Sequence, residues 1–203
     1  MDIDRTAADF KALFIGVVVL AFIACGGPSQ PTVYTSLIPA VLGNDLKEVQ
    51  RLVIEEKVDV NLRTGGVGSP ALESAAYADQ TEIMSFLLAH GADPNLGEAR
   101  NRTPLHAASY GGHLASVQLL LKAGALVDPI EETTRSTPLI VAALKGHRSV
   151  VVALLAAGAD VTLRDVGGET AEDKAKRFGH TDVAGVLEAA RVDLERKKRE
   201  LSG

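Results

Sequence analysis

Residues 103–125 read Thr103-Pro104-Leu105-His106-Ala107-Ala108-Ser109-Tyr110-Gly111-Gly112-His113, then Leu114-Ala115-Ser116-Val117-Gln118-Leu119-Leu120-Leu121-Lys122-Ala123-Gly124-Ala125. The same cadence returns 34 residues later, from Thr137-Pro138-Leu139 through Gly146-His147 to Leu154-Leu155 and Gly158-Ala159-Asp160. Thr103 and Thr137 are N-cap types that can accept a hydrogen bond from the first free amides of a helix. Pro104 and Pro138 follow at the first helical position, where a missing N–H costs nothing. Leu105 and Ala108 lie one turn apart, a small-residue face that lets helices approach closely. Gly112 breaks that helix, Val117, Leu120 and Leu121 form the apolar face of a second, and Gly124-Ala125 stops it. One such unit cannot bury its apolar face alone. Stacked copies share a continuous core, and the two ends must present polar outer surfaces.

Aligned on the threonine position, copies begin at Thr35, Pro70, Thr103, Thr137 and Thr170, at spacings of 35, 33, 34 and 33. The residue opening the inter-helix turn falls at Asn44, Asp79, Gly112, Gly146 and Gly179. The pattern resembles the ankyrin repeat. The resemblance implies an all-α solenoid of about five helix-turn-helix repeats joined by β-hairpin-like fingers, spanning residues 34–191. Arg51 sits where internal repeats carry Phe86, Leu119 and Ala153, and Glu188 where they carry Leu88, Leu121 and Leu155, so repeats one and five read as caps.

The segment before the repeats is different in kind. Ala12 to Ala24 form an uncharged apolar run, interrupted only by Gly16 and followed by Cys25-Gly26-Gly27-Pro28. A helix of that length rises only ~20 Å, short of the ~30 Å hydrocarbon core, so a full span is not expected. The run suits a secretory signal, with a peripheral apolar helix and an incidental cysteine as the alternative. Phe22-Ile23-Ala24-Cys25 resembles a bacterial lipobox, although the preceding stretch carries Asp2, Asp4 and Asp9 against Arg5 and Lys11. The resemblance implies a signal peptide at 1–24 and lipidation of Cys25. Residues 25–33 then form a flexible, Gly- and Pro-rich tether. The expected location is the bacterial envelope, at the outer membrane facing the periplasm, since Gly26 is not the aspartate associated with inner-membrane retention. Cys25 is the chain's only cysteine, so no disulfide framework is possible.

The net charge is −5, and removing residues 1–24 takes away three aspartates, one arginine and one lysine, leaving −4. That mildly acidic balance argues against nucleic acid as the main partner. The charged C-terminal segment, 192–203, reads as a helical tail extending the last capping helix. Leu187, Leu194 and Leu201 make too few heptads for a coiled coil.

Several residues invite a catalytic or metal reading. His113, His147 and His180 share one repeat position, but equivalent positions in stacked repeats lie ~8–10 Å apart. Zinc needs its nitrogens at ~2.0–2.1 Å, so no metal is expected. The resemblance gives these histidines hydrogen bonds that tie neighbouring repeats. Ser109, His106 and Asp128 could be named as a triad, but no nucleophile elbow or oxyanion loop accompanies them. P-loop, dinucleotide and zinc-protease motifs are absent from the sequence, and Gly65-Gly66-Val67-Gly68 falls in an inter-repeat turn. No enzyme, cofactor or small-molecule substrate is expected.

The repeat leaves two surfaces free. Two residues before the turn, the first helices carry Leu42, Tyr77, Tyr110, Leu144 and Arg177. The resemblance places this position on a concave groove. Five aromatics lie beyond Cys25, and two of them, Tyr77 and Tyr110, should be neighbours on this stripe. Tyrosine offers a large contact area and a polar tip, and is enriched at binding hot spots. The bland alternative is packing on the adjacent helix. The resemblance also points to the fingers: Gly66, Val67 and Ser69; Ala99, Arg100 and Arg102; Thr133, Thr134 and Ser136; Val166, Gly167 and Glu169. Gly68 and Gly168 fit a turn position that favours positive φ, Asn101 tolerates it, and Arg135 fills the slot in a finger with one extra residue, expected to be distorted. Arg100, Arg102 and Arg135 could form a basic spot beside Glu131-Glu132.

The expected function is non-enzymatic binding of another protein by a membrane-tethered monomer, through the groove and fingers, as an adaptor or inhibitor. Two alternatives stay open: an accessory factor for the stability or cofactor loading of a neighbouring periplasmic enzyme, or a cytoplasmic or host-directed protein with an uncleaved leader.

Overall fold

The computed structural model describes residues 37–63, 68–98 and 100–202. Among the described residues ten α-helices follow one another as five pairs, and none of these residues is in a strand. The first, inner helices are α1 (Ile38–Leu42), α3 (Ala71–Tyr77), α5 (Pro104–Gly111), α7 (Pro138–Lys145) and α9 (Ala171–Arg177). Their partners are α2 (Leu46–Ile54), α4 (Thr81–Ala89), α6 (Leu114–Lys122), α8 (Arg148–Ala156) and α10 (Thr181–Ser202). Each inner helix packs against the next inner helix, and each outer helix against the next outer one. One continuous core results.

The caps form as the residues dictate. Pro70, Thr103, Thr137 and Thr170 are the N-cap residues of the inner helices, all in extended backbone. Thr137 Oγ accepts the Ile140 N–H and Thr170 Oγ the Asp173 N–H. Alanine crowds the inner layer: Ala75, Ala76, Ala107, Ala108, Ala142, Ala143 and Ala175 are all buried. Larger residues fill the outer layer, with Ile83, Leu87, Val117, Leu120, Val150, Leu154 and Leu187 sealed from solvent. Small against large sets the close approach of the inner helices.

All five turn residues adopt the left-handed conformation, with φ of 51° at Asn44, 54° at Asp79, 74° at Gly112, 75° at Gly146 and 79° at Gly179. Gly112 also answers a second demand. A Cβ there would lie 2.6 Å from Nδ1 of His147 in the next repeat.

The ends are polar. Arg51 donates to Glu48 and Glu56, and Glu188 is exposed. The last helix runs unbroken through 202, so the charged tail continues the outer helix of repeat five. Leu187 is buried, Leu194 packs partly against the core and Leu201 is 89% exposed, which leaves no coiled-coil seam. No helix among the described residues is long and apolar enough to cross a membrane. Cys25, the leader, the tether, Thr35, Ala99 and the first finger's Gly66 and Val67 lie outside the described residues.

Candidate functional site: a cleft between the inner helices and two fingers

The inner helices end on one face of the stack, and there the sequence places large side chains. Leu42 is 70% exposed, Tyr77 57% and Tyr110 44%, while Leu144 is half-buried. The tyrosine rings stack with centroids 6.2 Å apart and 24° between their planes. Lys145 Nζ stands 4.1 Å from the centre of the Tyr110 ring, a cation–π contact. Neither tyrosine is packed away into the core. The stripe ends at Arg177, whose guanidinium donates to Glu169 and lies over the Phe178 ring.

Beneath this exposed row the backbone is pinned by the following repeat. His113 Nε2–H donates to the Tyr77 carbonyl at 3.1 Å, and His147 Nε2–H to the Tyr110 carbonyl at 3.0 Å. His180 does the same to Leu144 at 3.1 Å. The shared histidine position is therefore a ladder that holds the groove residues in place. Gln80 supplies the missing rung, donating from Nε2 to the Val41 carbonyl at 2.7 Å. Where Asp79 replaces the turn glycine, its carboxylate accepts from Ser116 Oγ and faces His113, so the departure is compensated across the repeat boundary.

Two fingers wall the face. In the finger of repeat four, Glu131 turns inward, accepting the backbone N–H groups of Thr133 and Thr134 and the Thr134 hydroxyl. Burial would raise the Glu131 carboxyl, but the bonds from Thr134 and Thr133 outweigh it and hold it at about 2. Glu131 is thus not half of a surface acidic pair; only Glu132 is exposed. The extra residue widens the loop without opening it. Glu131 N–H still donates to the Ser136 carbonyl, and Arg135 takes φ of 56°, as Asn101 takes 58° and Gly168 75° in their fingers.

The finger of repeat three is tied by Arg102, which pairs with Glu73 and with Glu98 at 3.2 Å each. Glu73 is buried; desolvation, aided by nearby Glu98, raises its carboxyl against the pull of Arg102. One repeat on, His106 occupies the Glu73 position and performs the equivalent link. Its Nδ1 accepts the Thr103 N–H at 3.2 Å and its Nε2–H donates to the Ser136 carbonyl at 3.0 Å. Burial lowers the His106 imidazole, so the neutral tautomer suits both bonds. Arg102 therefore has a structural pairing, while Arg100 has no carboxylate partner among the described residues.

Stripe and fingers meet in one cleft of about 480 Å³. Of the stripe, Tyr77, Tyr110 and Leu144 line it, and of the fingers, Arg100, Arg102, Thr133, Thr134 and Ser136. Leu42 and Arg177 belong to the stripe but not to the cleft. A second recess of about 540 Å³ lies between the end of repeat four and α10, lined by Asp160, Thr162, Leu194 and Lys197 among others.

Repeat spacing alone does not reveal Lys145 over Tyr110, the Gln80 rung, or a further ladder behind the fingers. There Asn61, Asn95 and Asp128 accept the N–H groups of Asp93, Leu126 and Asp160 in the next repeat. The signal was present as polar residues recurring once per repeat, but their partners are backbone atoms.

The triad candidates do not assemble. Both His106 nitrogens are committed elsewhere, Ser109 Oγ is buried with no hydrogen-bond partner among the described residues, and Asp128 accepts from Asp160. No group of three or more His, Cys, Asp or Glu side chains among the described residues is placed to hold a metal ion.

Comparison with known proteins agrees with this architecture. Models of "Ankyrin repeats (3 copies)" and "Ankyrin repeats (many copies)" match residues 37–131 and 120–175. An ankyrin repeat protein of Escherichia coli, YahD, is 37% identical over 94 residues, covering 44% of this chain and 46% of its own. The E3 ubiquitin-protein ligase HACE1 of Danio rerio is 36% identical over 77 residues, which are 38% of this chain and 8% of the ligase. The palmitoyltransferase akr1 of Schizosaccharomyces pombe is 45% identical over 60 residues, 30% of this chain and 9% of that enzyme. The chain thus spans less than half the length of each of these relatives, and the two enzymes share only a small part of their length with it.

Proposed function

The chain belongs to the ankyrin-repeat family, and on that premise we propose that it is a non-enzymatic protein-binding module that grips its partner in the Tyr77–Tyr110 cleft, as a membrane-tethered adaptor or inhibitor. One observation carries this reading: two stacked tyrosines stay exposed while the carbonyls behind them are held by His113 and His147. A pre-positioned aromatic pair loses little conformational freedom on binding, which favours affinity. Of the groups that might have done chemistry, His106 and Asp128 are engaged by the next repeat, and Ser109 Oγ is buried.

Capture from an envelope extract tests the reading. Immobilised wild-type chain should retain a partner that the Tyr77→Ala/Tyr110→Ala variant loses, with thermal melting showing the variant still folded. Retention of the same partner at equal yield would make the stripe packing rather than interface. The tether rests on the apolar run before Cys25 and is tested by palmitate labelling. Label that disappears in Cys25→Ala supports it; an unprocessed, unlabelled chain in the soluble fraction sinks it.

A further inference from the structure

The charge around the cleft is unevenly committed. Its two lining carboxylates are both engaged, Glu98 with Arg102 and Glu131 with the threonine finger. Two cations here are left unneutralised by the described residues: Arg100, which lines the cleft, and Lys145, which stands outside the lining but against the ring of the lining Tyr110. Among the described residues neither Arg100 nor Lys145 has a carboxylate partner, and Lys145 rests against the π-face of Tyr110 instead. Glu132, whose N–H donates to the Arg100 carbonyl, is exposed and its side chain is not part of the lining. The lining also has an apolar and aromatic part, formed by Tyr77, Tyr110, Leu144 and Val141.

We propose that the cleft takes an acidic segment of the partner protein, in which a carboxylate side chain is followed closely by a flat or branched apolar one. This rests on the protein-binding reading above and names the chemistry of the partner. The carboxylate meets Arg100, whose planar fork matches it bidentately, with Lys145 adding a second positive charge. The apolar side chain lies on the tyrosine rings. A volume of about 480 Å³ is in the range of pockets filled by a few side chains, ~300–1,000 Å³. A whole helix, ~10–12 Å across with its side chains, would rest on the rim rather than enter. An extended segment is therefore the occupant.

The test uses random linear peptides displayed on phage, selected on the immobilised full chain and counter-selected on an Arg100→Glu/Lys145→Glu variant. Peptides that distinguish the two should be rich in aspartate and glutamate interleaved with phenylalanine, tyrosine or leucine. A synthetic copy of the most enriched peptide should bind the charge-reversed variant at least about tenfold more weakly, a difference of ~1.4 kcal/mol. Binding to an Arg100→Gln/Lys145→Gln variant should be intermediate, and wild-type binding should weaken as salt shortens the Debye length towards ~3 Å at 1 M. Neutral or basic peptides, the recovery of none that distinguishes the chains, or equal competition by an oligothymidine would each overturn the assignment. The envelope partner separates this proposal from the reading beneath it. A partner lost from the tyrosine variant but kept by the charge-reversed one leaves the binding face standing and removes the acidic segment. A partner kept by both removes the face and the segment together.

Discussion

In repeat three, Gly112 lies against the ring of His147, which reaches over from the next repeat; in repeat five, Gly179 has almost the same φ, but a Cβ there would meet nothing within 4 Å. The fingers differ in parallel. Glu131 in repeat four is wrapped by uncharged donors from its own loop, whereas Asp165 in repeat five holds Lys174, which also pairs with Glu169. On the groove face, Tyr110 leaves an aromatic ring open while Arg177 is paired with Glu169. The backbone plan is one and the same. What changes is the neighbour: a repeat with another stacked beyond it must accommodate and bond that neighbour, and a terminal repeat satisfies its polar groups locally by ion pairs.

The largest expected effect is in the core. Leu120→Ala in α6, sealed between the outer helices of repeats two and four, should cost about 3–5 kcal/mol in urea unfolding. Leu187→Ala in α10, equally buried but stacked on one side only, should cost less, because a terminal helix relaxes into the cavity more easily. Equal losses would show that position in the stack does not matter.

The turn glycines isolate the neighbour itself. Gly112→Ala and Gly179→Ala share the strain of a left-handed alanine, about 1–2 kcal/mol. Only Gly112→Ala also displaces His147 from the Tyr110 carbonyl, which adds about 1 kcal/mol. Chemical denaturation of the two variants side by side reads the difference, and identical losses would break the comparison.

The finger carboxylates are read out by pH. Glu131 has a folded value of about 2, below its unfolded value, so its contribution is present at neutral pH and is lost as pH falls through the folded value. Asp165 follows the same sign: burial raises it, but the Lys174 ammonium and finger amides lower it further. Glu131→Gln and Asp165→Asn should each flatten the acid loss of stability measured by urea midpoints. Added salt should change neither effect much, because the donors to Glu131 are neutral and the Asp165–Lys174 pair is largely buried.

The smallest effect belongs to the exposed edge. Arg177→Ala removes a solvent-facing ion pair with Glu169 and should change stability by less than about 1 kcal/mol. It should also leave partner capture intact, because Arg177 does not line the cleft.

Much of this was legible in the chain. Thr103-Pro104-Leu105 and its copies carry the helix starts, and the register located all five left-handed turn residues, including Asn44 and Asp79. The exposed tyrosine pair was legible because repeat spacing fixes which side chains become neighbours. The commitments of Arg102, Glu131 and Gln80 were not legible. Their partners are a buried carboxylate 29 residues back, a loop's own amides and a carbonyl 39 residues away, contacts that depend on side-chain reach rather than on period. Lys145 over Tyr110 is hidden for a related reason. A lysine at the end of α7 reads as an ordinary helix terminus until repeat three is stacked beside it.

Affinity for the captured partner, measured for wild-type, Tyr77→Ala/Tyr110→Ala and Leu42→Ala/Arg177→Ala chains at matched stability, decides whether the cleft is the grip. A pair of stacked aromatic hot spots should cost at least about 2 kcal/mol on truncation, so the tyrosine variant should bind ~30-fold or more weakly while the edge variant stays near wild type. Equal losses in both variants, or none in either, would contradict it.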